Sequence, residues 1–262
     1  MINTIYIPTL GRSDNQVTFD NMSPNAQQIT KLVVQPKEQH LYPNYPILVL
    51  PDNDIGITET RRWIYKEAKG LKYGVFDDDL KFIERTPGGE KSKKPMDSDS
   101  WKYLLETTSE WLDTIPWAGF RQGNLPPAGK EYIDIAGVYC GFFFNDNLLP
   151  DESELDWDLS TTEDISMVLQ LFKKGYNNRV WDKFGYITNY VGEVGGCAEW
   201  RTLELINENH AKLINKFPEY VSWNGIKKNV LGGDFKKIKI RWKKAYLDSQ
   251  QSTLENFFYD GT

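Results

Sequence analysis

Three aspartates in a row, Asp77-Asp78-Asp79, follow directly on the apolar run Tyr73-Gly-Val-Phe. Side chains alternate across a strand, so Asp77 and Asp79 should point one way and Asp78 the other, toward the turn or a ribose. Two carboxylates converging at a strand's carboxyl end form a hard-oxygen site for Mn²⁺ or Mg²⁺. A cation there would let carboxylates share space with a diphosphate and would stabilise that group as it departs. A second acidic pair, Glu163-Asp164, opens a predicted helix in Trp157-Asp-Leu-Ser-Thr-Thr-Glu-Asp-Ile-Ser. Acids in a first turn complement the helix dipole.

A third cluster is basic. Lys227, Lys228, Lys236, Lys237, Lys239, Arg241, Lys243 and Lys244 have Asp234 as the one acid among them, with Trp223, Phe235 and Trp242 interleaved. Lysines and arginines neutralise phosphates while rings stack on bases. Lysines on an exposed strand also guard an edge against aggregation. His210 falls on a polar stretch of a predicted helix and is expected at the surface.

These residues need a frame. Residues 4–8, 31–35, 47–50 and 73–77 are short apolar, strand-like runs. A helix is predicted over 58–69, with Thr58 as its N-cap and Gly70 just past its end. Strands alternating with helices give an α/β fold with a mostly parallel, covered sheet. Residues 84–100, rich in Pro, Gly and Lys, are expected to form an exposed loop. Helices are predicted over 101–115, 161–174 and 203–217, and a long β-rich run over 133–144. The division expected is 1–217 as the main domain and 218–262 as a small basic, aromatic extension for an acceptor such as DNA.

Bulk properties narrow the classes. A chain of 262 residues fits one large domain, or a domain with an appendage. Net charge is −6, so the whole molecule is no basic nucleic-acid binder and any polyanion contact must be a local patch. Cys140 and Cys197 supply neither a disulfide framework nor metal-ligand spacing. No run approaches the roughly 20 apolar residues of a membrane span. A cytoplasmic protein away from membranes is expected.

The segment from Asp52 through Gly56, Arg61 and Arg62, followed by a helix and Tyr-Gly-Val-Phe-Asp-Asp-Asp, resembles the nucleotide-binding half of family-2-like GT-A glycosyltransferases. Thr60 and Arg62 stand where that family has alanine and asparagine. The start, Ile5-Tyr-Ile-Pro-Thr-Leu-Gly-Arg12, is similar to its first strand and nucleotide loop. The resemblance covers about residues 2–176 and implies a GT-A (Rossmann-like) fold. It implies Pro8, Thr9, Gly11, Arg12, Gln35, Gly56, Arg61, Asp77 and Asp78 at a nucleotide-sugar donor, with a UDP-sugar foremost. It further implies Asp77 and Asp79 as metal ligands, with Glu163 and Asp164 catalytic and Asp164 the base of an inverting transfer. A histidine completes the metal shell in some relatives, which makes His210 an alternative third ligand.

Within that superfamily the start motif, Gln35-Pro-Lys-Glu38, Leu50-Pro51, the Gly195-Gly-Cys197 loop and the basic tail resemble phage enzymes that glycosylate modified pyrimidines in DNA. That implies an acceptor such as 5-hydroxymethylcytosine in DNA, contacted by Lys236, Lys237, Arg241 and Trp242. Two other readings compete. One is a glycosyltransferase for a small-molecule, polysaccharide or protein acceptor; the other is a non-catalytic DNA-binding protein of the same fold. A sugar-nucleotide pyrophosphorylase would need a glycine-rich, lysine-bearing loop after the first strand, and Gly11-Arg12 is too sparse for one.

Overall fold

The computed structural model describes residues 1–85, 93–188, 202–228 and 233–259, with side chains as far as 251. The Gly195-Gly-Cys197 loop lies outside the described residues. Strands β1 (Thr4–Pro8), β2 (Thr30–Val34), β3 (Ile47–Val49) and β4 (Lys72–Phe76) form one parallel half of a sheet in the order β3-β2-β1-β4. The sheet continues through β9 (Gly141–Asn145), β7 (Trp117–Gln122), β10 (Asn178–Thr188), β5 (Leu80–Arg85) and β6 (Lys93–Pro95), while β8 (Tyr132–Asp134) pairs with β10. Strands β5, β8 and β9 run against the others. The sheet is mixed, with its parallel strands in the majority direction.

Helices cover both faces. Short α1 (Val17–Asp20) and α2 (Pro24–Gln28) follow β1, and α3 (Ile57–Glu67) precedes β4. They are joined by α4 (Ser98–Trp111), α5 (Glu163–Lys173), α6 (Leu203–Lys216) and α7 (Trp242–Tyr259). Alternation along the strands divides the core. Tyr73 and Val75 of β4 join Ile64 of α3 and Val168 of α5 on one face. Ile5, Ile7 and Phe76 join Ala26 of α2 and Leu104 of α4 on the other. Much of the aromatic content belongs to this core: Trp101, Trp117, Trp181, Phe120 and Phe143 are fully buried.

Several local expectations are corrected. The N-cap of α3 is Gly56, and the Thr58 hydroxyl instead donates to the carbonyl of Leu159 at 2.7 Å. The stretch 84–100 is not one loop: Glu84 and Arg85 end β5, Lys93–Pro95 pairs with them, and α4 begins at Ser98. The run 133–144 breaks into β8 and β9. Between them Ile135 takes φ 55°, a strained value for a β-branched residue. Its neighbour Ala136 is held from both sides by the Asn178 amide. The C-terminal segment forms the hairpin β11 (Val221–Lys228) and β12 (Asp234–Ile240), then α7. Val221 and Ala245 are buried in the same core as Leu213 and Phe217, so this segment is built onto the domain.

Candidate active site

Ligands of open α/β sheets gather at the carboxyl ends of strands, where the strand order reverses. Here that point lies between β1, whose successor β2 is on one side, and β4, on its other side. The two strand ends bring Thr9 and Asp78 together. Thr9 Oγ1 donates to Asp78 Oδ2 at 2.9 Å, and Arg12 Nη1 meets Asp78 Oδ1 at 2.5 Å. Gln16 fastens the same loop, donating to Thr9 Oγ1 and to the Arg12 carbonyl. Burial pushes the Asp78 carboxyl up to about 7, against the opposing pull of Arg12 and Thr9. Asp78 therefore organises the loop after β1, which holds Thr9, Gly11 and Arg12 of the start motif.

Asp77 faces a different partner. Its Oδ1 accepts from Arg61 Nη2 at 2.5 Å, and Arg61 Nη1 donates to Glu163 Oε1 at 2.8 Å. Strand β4 ends at Phe76, so all three aspartates lie past the regular strand and Asp79 sits in the turn. Asp77 and Asp78 nevertheless turn to different partners, Arg61 for the first and Thr9 with Arg12 for the second. Thr18 of α1 fixes this turn: its hydroxyl donates to the Asp77 carbonyl and accepts from the Leu80 N–H, and its N–H donates to the Asp78 carbonyl. Nothing in the sequence marks Thr18 for this task. The signal lies in the approach of α1 to β5.

Arg61 is buried with its guanidinium above the Phe142 ring. Burial opposes its charge, but Asp77, Glu163 and Asp164 outweigh that cost, and the group stays protonated. Glu163, also buried, is driven up first by desolvation, then by Asp164 and Asp77, with Arg61 pulling the other way. Its second oxygen, Oε2, has no hydrogen-bond partner. Asp164 is half-buried in the first turn of α5, with Oδ1 accepting from the Ile165 N–H at 2.7 Å. Its charge also acts on Tyr139 and Cys140, which no local pattern marks for the site. Burial first and Asp164 second push the Tyr139 hydroxyl up to about 12. Burial, then Asp77 and Asp164, raise the Cys140 thiol. Arg61 thus joins the aspartate turn at Asp77 to the start of α5 at Glu163.

The rim comes from the loop after β2. Gln35 is buried, and its amide accepts from the Asp54 N–H and donates to the Ile55 carbonyl. It closes the turn that leads into Gly56 and α3. Gly11, at φ 64°, donates its N–H to both oxygens of Glu38 at 3.1 Å. An anion already occupies the N–H that the sequence assigns to a nucleotide.

Among the described residues no cluster of three or more His, Cys, Asp or Glu side chains is placed to hold a metal. The expectation of a surface His210 is overturned: the residue is 6% exposed, and its Nδ1 meets the Lys236 carbonyl of β12 at 2.8 Å. Lys236, Lys237 and Arg241 are exposed. Trp242 is a packing ring, set edge-on to Tyr139 and Phe172 and pressed over Gly137. Among the described residues no helix is long and apolar enough to cross a membrane.

A crystal structure of residues 1–349 of S. aureus TarS in complex with UDP-GlcNAc aligns with a TM-score of 0.49 and 14% identity, covering 82% of this chain and 67% of that one. The same TarS fragment in complex with UDP aligns at 0.45 with 14% identity, covering 82% of this chain; this chain spans 66% of that fragment. The inositol-1-phosphate CTP transferase from T. maritima aligns at 0.40 with 12% identity, covering 81% of this chain and 96% of that one. No protein of curated function matches the sequence. The sequence profile of the TET-associated glycosyltransferases matches residues 3–196, a span holding β1, the aspartate turn, Arg61 and the Glu163-Asp164 pair. The chain belongs to the TET-associated glycosyltransferase family.

Proposed function

We propose that this protein transfers a sugar from a nucleotide-sugar, a UDP-sugar foremost, to the hydroxyl of a modified pyrimidine in DNA. The observation that carries the reading is the convergence of Asp77, Arg61, Glu163 and Asp164 beside the strand switch point. The loop of Pro8, Thr9 and Arg12, together with the Gly56 turn that Gln35 closes, would seat the nucleotide, which would have to displace Glu38 to reach the Gly11 N–H. Asp164 would accept the proton of the acceptor hydroxyl as its oxygen attacks the anomeric carbon with inversion. Glu163, neutralised by Arg61, would hold Asp164 and Asp77 at a fixed separation.

Asp77 and Asp79 would hold Mn²⁺ or Mg²⁺. Their hard oxygen donors suit such ions, which take one or two carboxylates and complete their shell with substrate phosphates and water. Bound there, the ion supplies positive charge for the diphosphate leaving group. A duplex acceptor must present its pyrimidine flipped from the stack for the hydroxyl to reach Asp164.

The test is to incubate the protein with Mn²⁺, a panel of nucleotide-sugars and DNA containing 5-hydroxymethylcytosine, then to weigh the released nucleosides. A hexose or pentose mass gain is expected with one donor. Donor hydrolysis with unmodified DNA would point to a small-molecule, polysaccharide or protein acceptor instead.

A further inference from the structure

The hairpin β11–β12 stands out from an acidic body. Beyond Ser222 the residues of β11 are exposed throughout, and β12 alternates exposed lysines with half-buried Phe235, Ile238 and Ile240. A two-stranded hairpin with so little cover is marginal on its own in water. Its stability must come from whatever docks it.

That support is α6, and the docking is polar. Asn207 accepts from the Lys236 N–H and donates to the Asp234 carbonyl, both at 3.0 Å. One turn on, His210 meets the Lys236 carbonyl at 2.8 Å. Side chains of one helix face thereby satisfy the outer edge of β12, as a neighbouring strand would. The adjacent residue, Asn209, is buried and accepts from the Ser160 N–H at 3.2 Å. Ser160 stands just before the Glu163-Asp164 turn. The hairpin is thus tied, through one helix, to the loop carrying the proposed base.

The register sorts the charges. Ser222 faces Lys239, Lys227 faces Phe235 and Ile226 faces Lys236. Alternation then places Lys227, Lys237 and Lys239 on one face. On the other, Lys236 lies over the Trp223 ring, 5.7 Å from its centroid, and that ring is 46% exposed. Lys228 and Asp234 pair with each other near the tip.

We infer that the β11–β12 hairpin is a nucleic-acid-binding arm, with Lys227, Lys237 and Lys239, which share one face, on the phosphodiester backbone. A two-stranded ribbon fits a DNA groove, which a flat surface cannot enter. An anionic membrane is disfavoured because it would bring the acidic remainder of a chain of net charge −6 against a negative plane. Trp242, expected to contact DNA, instead lies partly buried against Tyr139 and Phe172. Its catalytic use rests on the DNA-acceptor reading, but its binding does not require transfer.

The test compares the full chain with a Lys227→Gln/Lys237→Gln/Lys239→Gln variant on a fluorescent DNA duplex, from about 50 to about 200 mM KCl. The wild type should bind with steep salt dependence. The variant should lose about 2 to 3 from the log–log salt slope, at about 0.9 for each phosphate contact. Equal binding by both proteins overturns the arm, as does salt-independent wild-type binding. Binding to phosphatidylserine vesicles but not to DNA also overturns it. Transfer to hydroxymethylated DNA with an unchanged KM in the variant would remove the arm and leave the acceptor reading standing. Arm-dependent DNA binding without transfer would keep the arm and remove that reading.

Discussion

Arg61 and Glu163 lie 102 positions apart in the chain and meet as a buried ion pair at 2.8 Å. The same guanidinium holds Asp77, so one side chain joins the strand end to the helix start. Removing it leaves two acids facing each other without their cation. Arg61→Ala should destabilise the fold by about 3–5 kcal/mol, the usual cost of breaking a buried pair from one side. Arg61→Lys should recover only part of this, because one ammonium cannot reproduce a two-pronged fork. Urea unfolding measures both, and a lysine variant as stable and active as wild type would show that the bridge is dispensable.

Asp78 gives a pH signature. Its carboxyl is raised from 3.8 to about 7 by burial, so the folded chain binds the proton more tightly than the unfolded chain. The resulting stability is fully present below about pH 3.8 and is lost as pH rises through about 7. Asp78→Asn cannot titrate. Wild type should therefore lose stability relative to this variant as pH climbs, with the difference levelling off above about pH 7. Urea midpoints across that range should diverge; parallel curves would place Asp78 outside this role.

Gly137 tests the assignment of Trp242 to packing. A Cβ there would lie 2.4 Å from the indole ring. Gly137→Ala should cost about 1–3 kcal/mol by overpacking. Thermal melts read the loss, and an unchanged melting temperature would mean that Trp242 is free to leave this position for other work.

The sequence exposed one half of this molecule better than the other. Strands β1 to β4 are apolar runs stopped by proline or by the aspartates, and their positions are met within a residue or so. Strands β5, β7 and β10 escape pattern reading because charges interrupt them. Asp182 in β10 is buried between Arg85 of β5 and Arg121 of β7, charges that make sense only once the strands are side by side. The register of β10 against β7 also shifts between Trp181 and Gly185, which breaks the alternation a reader would follow.

The site divides in the same way. The aspartate turn and Glu163-Asp164 are legible as acids in telling places. That Arg61 would join them is a fact of three dimensions. His210 has polar helix neighbours, the pattern of a surface residue, yet Asn207 and His210 itself meet the edge of β12. Residues that bond backbone far away, such as Thr18 and Asn209, leave no trace in local pattern.

The proposed role of Asp164 is to remove the acceptor's proton. The direct measurement is Asp164→Asn, with donor affinity by calorimetry beside turnover on hydroxymethylated DNA. Donor affinity should be preserved while transfer falls by about 10²- to 10⁴-fold, the usual worth of a general base. Transfer at the wild-type rate in this variant would contradict the account.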